Sequence, residues 1–237
     1  MKLAIQLYSL RDHIKNGDDF LKILEEVKAL GFDGVEFAGY FSLPAETIKA
    51  KLDELGLVAV GAHIPIESFL PENLEETAKF HRTLGCLYVG VGGAPHKTVE
   101  DCEKTVSTLK YAADNSDMVT YYHNHTEEFI VLDNGKTAME MFGDKIKLEV
   151  DTYWSFLAGI DNYSYITENR DKIILLHIKD GIGKTPVALK EGNNDLDAVI
   201  KAAKDNDFEW IILENDDPVP DGLSDTKRSL KYLMSVK

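Results

Sequence analysis

The sequence predicts an α/β protein that forms one (β/α)8 TIM barrel. Short apolar runs alternate with longer amphipathic runs about eight times, and a unit of helix, glycine and short strand recurs three times. No linker, low-complexity tract or charge block divides the chain, and its 237 residues match the length of one α/β barrel. We therefore expect a single domain over residues 1–237.

The apolar runs are rich in β-branched and large apolar residues, as expected for parallel strands covered on both faces. An open doubly wound sheet is the alternative, but residues 6–10 lack the glycine-rich fingerprint that usually follows its first strand. The predicted strands are Leu3–Leu7, Gly34–Phe37, Val58–Ala62, Leu87–Val91, Val119–Tyr122, Lys147–Val150, Ile173–Ile178 and Trp210–Leu213.

The amphipathic runs carry their apolar residues on one helical face, and several of them stop at a glycine, which is a common helix C-terminal residue. Gly31, Gly56 and Gly85 are the three examples. The predicted helices are Asp19–Leu30, Pro44–Leu55, Asn73–Leu84, Thr98–Ala113, Lys136–Phe142, Tyr163–Asn169, Asp195–Lys204 and Asp221–Met234.

The charge balance limits the partners. There are 41 acidic and 26 basic residues, for a net charge of −15, which disfavours nucleic acid and suits a neutral sugar or a metal cation. Cys86 and Cys102 form no pair motif and indicate reduced thiols. The apolar run at the N-terminus is too short for a signal peptide, and no segment is long enough to span a membrane. We expect a cytoplasmic protein, and homo-oligomer formation stays open.

Polar residues follow the predicted strands at their carboxyl ends, where TIM barrels carry their chemistry. One strand-end histidine is more often structural than a ligand, but four of them beside carboxylates reverse that expectation. The remaining histidines, His13, His81 and His96, are expected at the surface. The strand-end residues are Glu36, His63, His123, His125, Glu149, Asp151, His177, Lys179 and Glu214.

Four of these residues are expected to converge above the barrel axis. They are His123, Asp151, His177 and Glu214. Imidazole and carboxylate donors without thiolate suit Mn²⁺, Co²⁺, Mg²⁺, Fe²⁺ or Zn²⁺, with positions left for substrate oxygens. Glu149 is expected to point away from Asp151 and to be structural.

These motifs resemble the xylose-isomerase-like superfamily of sugar isomerases and epimerases, and in particular its sugar phosphate isomerase/epimerase group with a Tyr-His-Asn-His motif. The similarity runs nearly end to end. The segments that carry it are IQLYSLRD (5–12), GFDGVEFAGY (31–40), GAHIP (61–65), YYHNHTEEF (121–129), LEVDTYW (148–154), HIKD (177–180), KEGNNDL (190–196) and ILEND (212–216).

The resemblance implies a divalent ion bound from strands five to eight. Asp151, His177 and Glu214 match the superfamily's ligands, whereas His123 stands where its strand-five glutamate is usual. That replacement argues against a symmetric two-glutamate epimerase mechanism. His123 can instead bind the metal as neutral imidazole or act as the acid–base partner.

The expected reaction is proton abstraction next to a carbonyl through a metal-stabilised enediolate, giving isomerisation or epimerisation. Lys179 is a candidate donor to a substrate oxygen. Open alternatives are a lyase or hydrolase acting on 3-keto-glycosides, a non-catalytic sugar-binding protein and, least favoured, a phosphoesterase resembling AP endonucleases. The expected sugar contacts are Glu36, His63, His125, Glu128, Trp154 and Glu191.

Overall fold

A computed structural model describes all residues 1–237 and contains a closed eight-stranded barrel surrounded by helices. All neighbouring strands of the barrel are parallel, and the first strand closes the barrel by pairing with the last one. The predicted TIM barrel is therefore confirmed. No helix has both the length and the apolar character needed to cross a membrane.

The barrel strands begin and end within one residue of their predicted positions. They are β1 Lys2–Gln6, β2 Gly34–Phe37, β3 Val58–His63, β4 Tyr88–Val91, β5 Val119–His123, β6 Lys147–Asp151, β7 Ile173–Ile178 and β10 Trp210–Leu213. A short antiparallel hairpin after β7 consists of β8 Asp180–Ile182 and β9 Thr185–Val187. The sequence analysis did not predict this hairpin, because three-residue strands contain too little periodicity to detect.

Nine helices cover the barrel. They are α1 Gly17–Ala29, α2 Ala45–Leu55, α3 Pro71–Leu84, α4 Val99–Asp114, α5 Ala138–Gly143, α6 Thr152–Leu157, α7 Asn162–Glu168, α8 Leu196–Asp205 and α9 Gly222–Val236. Side-chain caps start several of them, such as the Thr98 and Asp101 capping box at α4. Helix α6 was not predicted, because it is only six residues long and follows β6 without a loop.

The apolar faces of the helices pack against the outside of the strands in a core cluster of 49 buried residues. A smaller cluster fills the inside of the barrel: Ala4, Val60, Tyr121, Leu175, Trp210 and Ile212. This second cluster is a packed core and not a channel, so the open space for chemistry lies above it, where the strands end.

Candidate active site

Strand register places the predicted site residues next to one another. In β5 and β6, His123 pairs with Glu149, and in β6 and β7, Asp151 pairs with His177. Because these strands are parallel, their carboxyl ends meet at one rim of the barrel. The structure thus brings together the four residues expected to converge, with ligand atoms within 4.8 Å of one another: His123, Asp151, His177 and Glu214, here called the Asp151 set.

Glu149 belongs to the same rim, and the expectation that it faces away from Asp151 was wrong. Residues two apart on a strand share a face, so Glu149 and Asp151 both project into the barrel mouth. The Glu149 carboxylate is fully buried and lies 2.6 Å from His63 Nε2 and 3.2 Å from His123 Nδ1. Together these residues form a second group of potential ligands within 4.8 Å: His63, His123, Glu149 and His177, here called the Glu149 set.

Glu36 supports the Glu149 set from β2. Its carboxylate lies 2.6 Å from His177 Nε2, and it accepts hydrogen bonds from Tyr121 Oη at 2.5 Å and from Gln6 Nε2 at 2.9 Å. Gly61 makes this arrangement possible, because a Cβ there would lie 2.7 Å from Glu36 Oε1. Glu36 is fully buried, and its contacts are with other residues of the cluster.

Lys179 provides the one ammonium group of the cluster. Its Nζ lies 2.8 Å from Asp151 Oδ2, 2.7 Å from Glu214 Oε2 and 2.6 Å from Asp216 Oδ2. The side chain is completely buried, and the ammonium lies 5.2 Å from the centre of the Trp154 ring. Lys179 therefore occupies the space between two members of the Asp151 set.

The buried charges shift the pKa values in opposite directions. Burial raises the pKa of Glu36, and the neighbouring Glu149 charge adds to the shift. Burial would also raise the pKa of Glu149, but the His177 and His63 charges hold it well below its usual value. For Glu214, the Lys179 and His177 charges outweigh burial in the same way and keep its pKa low.

The histidines of the cluster differ from each other in the direction of their pKa shifts. Burial and the neighbouring His177 lower the pKa of His123 to about 4, so His123 is a neutral imidazole at neutral pH. Burial opposes charging of His177, but Glu149, Glu214 and Glu36 outweigh it and raise its pKa well above the usual value. His123, which stands in place of the glutamate expected on strand five, is thus the neutral ring of the cluster.

Backbone contacts fix the position of Asp151. Its Oδ1 accepts hydrogen bonds from Tyr153 N at 2.9 Å and Trp154 N at 3.0 Å, at the start of α6. Its own N–H donates to Asn124 Oδ1 at 3.0 Å. Asp151 Oδ2 is buried, and its partner is the Lys179 ammonium at 2.8 Å, so a cation or a substrate hydroxyl could reach this oxygen only if that ammonium moved.

The predicted sugar contacts fall into two groups. His63 and His125 line the cavity above the cluster, and Trp154 lies beside it against Lys179. Glu128 is buried in the loop after β5, where it accepts hydrogen bonds from His125 N and Tyr122 Oη. It shapes that loop and does not line the cavity.

Besides Glu149, two further expectations about position were wrong. Glu191 does not join the site, because its carboxylate pairs with Arg228 Nε at 2.8 Å on the outside of the barrel. His81 is not a surface residue, since only 2% of it is exposed and it contacts Tyr40 Oη and the carbonyl of Thr77.

A cavity of about 400 Å³ opens over the two sets. It is continuous with a wider groove of about 990 Å³ between the loops after β1 to β4, and the two spaces share Tyr8, Ala38, His63 and Gly92. The cavity is lined by Tyr8, Ala38, His63, Gly92, His123, His125, Glu214 and Asp216.

Sequence reasoning missed Gln6, Tyr121 and Asp216 as members of the site. The period of two along a strand could have found two of them, because Tyr121 precedes His123 by two residues and Asp216 follows Glu214 by two. Gln6 ends the first strand, and its register partner in β2 is Glu36. A polar residue at the carboxyl end of an apolar run is the sequence signal that indicates such a site residue.

The donor atoms of the Asp151 set fit a divalent cation. Two imidazoles and two carboxylates are ligands that Mn²⁺, Fe²⁺, Co²⁺ and Zn²⁺ accept. The buried carboxylates of Asp151 and Glu214 share the single ammonium group of Lys179. A bound cation could take the place of that ammonium as their positive partner.

The fold and the site define an α/β barrel with a histidine and carboxylate cluster at the carboxyl ends of its strands. Residues 24–236 match the family model described as xylose isomerase-like TIM barrel. The chain belongs to this family. Comparison with curated proteins gave no significant match.

Solved structures with this fold include sugar isomerases and epimerases. A sugar phosphate isomerase/epimerase from Parabacteroides distasonis ATCC 8503 is 18% identical over 99% of this chain and 96% of its own, with a TM-score of 0.84. The 3-keto-D-glucoside 4-epimerase from E. coli is 18% identical over 99% of both chains, with a TM-score of 0.75.

An AP endonuclease, family 2, from Brucella melitensis has the same fold, with 16% identity over 99% of this chain and 98% of its own and a TM-score of 0.79. At these identities the likeness defines the fold, whereas the chemistry depends on the residues of the site.

Proposed function

We propose that this protein is a divalent-metal-dependent sugar isomerase or epimerase that removes a proton from the carbon next to a carbonyl. One observation carries the proposal: the ligand atoms of the Asp151 set lie within 4.8 Å of one another at the barrel mouth. Membership of the xylose isomerase-like family and the names of the Parabacteroides and E. coli proteins support it.

The Asp151 set would hold the ion, which supplies positive charge beside the substrate carbonyl and stabilises the charge that develops there. Lys179 occupies part of this space, so its ammonium has to move towards Asp216 when an ion binds. Asp216 is 29% exposed and lies on the solvent side of the cluster, which gives the ammonium a partner in either position. From there Lys179 can donate a hydrogen bond to a substrate oxygen.

Glu214 and His123 are suited to move the proton. Glu214 stays ionised because Lys179 and His177 lower its pKa, and it lines the cavity, so it can accept a proton from a bound sugar. His123 is neutral and lines the same cavity. A positioned acid–base group contributes roughly 10²–10⁴-fold to the rate. Return of the proton to the same carbon gives epimerisation, and return to the neighbouring carbon gives isomerisation.

A second candidate is a lyase that acts on 3-keto-glycosides through the same first step. The groove of about 990 Å³ beside the cavity favours it, because the groove extends well beyond the space over the two sets and provides room for a second ring. A phosphoesterase is disfavoured, since the net charge of −15 repels a phosphate backbone.

Exchange of substrate hydrogen with solvent tests the shared first step. The protein is loaded with Mn²⁺, incubated in D₂O with a panel of ketoses and 3-keto-glycosides, and deuterium at the carbon next to the carbonyl is measured by NMR. We expect exchange in the wild type and a loss of at least about 10²-fold in Glu214→Gln.

Glu209→Gln is the matched control, because Glu209 directly precedes β10, pairs with Lys2 at the surface and is 66% exposed. It should exchange at the wild-type rate. Absence of exchange with every compound in the metal-loaded protein, or equal rates in Glu214→Gln and Glu209→Gln, would contradict the proposal.

A further inference from the structure

The rings of His123 and His177 lie between two separate groups of carboxylates and present one nitrogen to each. His123 Nδ1 is 3.2 Å from Glu149 Oε2, whereas its Nε2 is 3.9 Å from Asp151 Oδ2. His177 Nε2 is 3.2 Å from Glu149 Oε1, whereas its Nδ1 is 2.8 Å from Glu214 Oε2. The barrel mouth therefore contains two donor groups, and the two histidines face both of them.

The Glu149 set has the composition of a metal site in its own right. Three imidazoles surround one carboxylate, with the His63 ring centre 5.0 Å from that of His123 and 5.6 Å from that of His177. Metal–nitrogen bonds of about 2.0–2.1 Å place ligands roughly 3 to 4 Å apart, so donors within 4.8 Å need only small movements.

A weakly partnered oxygen provides a second, independent indication. Glu149 Oε1 is buried and accepts no well-directed hydrogen bond, and its nearest donor is His177 Nε2 at 3.2 Å, although a buried acceptor normally has a well-placed donor. The ammonium of Lys179 does not compensate it, because its three carboxylate partners are Asp151, Glu214 and Asp216. A cation at the centre of the Glu149 set would satisfy this oxygen.

We propose that the Glu149 set is a second divalent-cation site, formed by His63, His123, Glu149 and His177, and that it binds an ion while Lys179 occupies the Asp151 set. Three imidazoles and one carboxylate suit Zn²⁺, Fe²⁺ or Co²⁺ better than Mg²⁺. Glu36 lies 2.6 Å from His177 Nε2, the nitrogen that would bind the ion, so this hydrogen bond has to break on ion binding, while Tyr121 and Gln6 continue to hold the Glu36 carboxylate beside the site. This site does not depend on the proposed isomerase activity.

Zinc binding to the full-length, metal-depleted protein tests the proposal. Zn²⁺ is titrated by equilibrium dialysis, and zinc-edge X-ray absorption counts the imidazole ligands of the bound ion. We expect three imidazoles in the wild type, since the Asp151 set offers only two. His63→Ala should reduce the count to two and weaken zinc binding by at least about tenfold.

Asp151→Asn separates the two sites, because Asp151 belongs to one set only, and it should keep three imidazoles and near-wild-type affinity. His125→Ala is the matched control: it lies two residues after His123, belongs to neither set and should bind zinc normally. Two imidazoles in the wild type, zinc lost in Asp151→Asn but kept in His63→Ala, or no bound zinc would overturn the proposal. If a variant does not fold, the number of imidazole ligands that X-ray absorption counts in the wild type is sufficient to decide.

Discussion

Replacing Lys179 with methionine should make the folded protein depend on added divalent cation. Lys179 is completely buried, and burial would lower its pKa if the Asp151, Glu214 and Asp216 charges did not raise it. Methionine has a similar length but no charge, so Lys179→Met leaves the carboxylates of Asp151 and Glu214 buried without their ammonium partner.

The size of the effect follows from the burial of these groups. Removing one member of a buried ion pair costs about 3–5 kcal/mol, because the remaining charge is uncompensated. The unfolding entropy of a chain of 237 residues is about 0.5 kcal/mol per kelvin, so the melting temperature should fall by about 6–10 °C. A divalent ion bound by Asp151 and Glu214 restores the missing positive charge, and millimolar Mn²⁺ should recover most of the loss.

Differential scanning calorimetry with EDTA and with Mn²⁺ measures both effects. Lys110→Met is the control, since Lys110 forms an exposed pair with Asp114 on α4 and its loss should change the melting temperature by about 2 °C or less. An unchanged melting temperature of Lys179→Met in EDTA would refute the idea that the ammonium balances this cluster. A loss that Mn²⁺ does not reverse would refute the idea that an ion can replace it.

Three further variants test the supporting contacts. Tyr121→Phe leaves Glu36 Oε1 without its donor and should cost about 1–3 kcal/mol in urea unfolding. Gly61→Ala inserts a Cβ 2.7 Å from that oxygen and should cost about 1–3 kcal/mol through overpacking. The double variant Tyr121→Phe/Gly61→Ala should lose less stability than the sum of the two single losses, because both substitutions act on Glu36. For Glu128, burial raises the pKa, but His125 and His96 lower it to about 2 from 4.5. Its stabilising contribution is therefore complete above about pH 4.5 and is lost towards pH 2, so the stability difference between wild type and Glu128→Gln should shrink over that range. A stability difference between wild type and Glu128→Gln that stays constant across these pH values would contradict the lowered pKa of Glu128.

The barrel could be predicted from the sequence because its evidence is local and repeated. Each strand is an apolar run, each helix an amphipathic one, and Gly31, Gly56 and Gly85 mark the ends of three helices. The Asp151 set could be predicted because parallel strands bring their carboxyl ends to one rim.

The contacts of Lys179 and the position of Glu191 could not be predicted in the same way. Which carboxylates an ammonium reaches depends on side-chain packing across the barrel, and Glu191 is removed from the site by Arg228, 37 residues further along the chain. The error on Glu149 was different, because a period of two already places it on the face of Asp151.

Asp180, directly after Lys179, fixes the segment that follows β7. Its buried carboxylate accepts hydrogen bonds from four backbone N–H groups, those of Gly181, Lys190, Gly192 and Asn194. These bonds anchor both ends of the segment that contains the β8–β9 hairpin, so this segment is held firmly beside Lys179. The wider groove that leads to the cavity lies instead over the loops that follow the first four strands, which makes those loops the natural route for a molecule approaching the site.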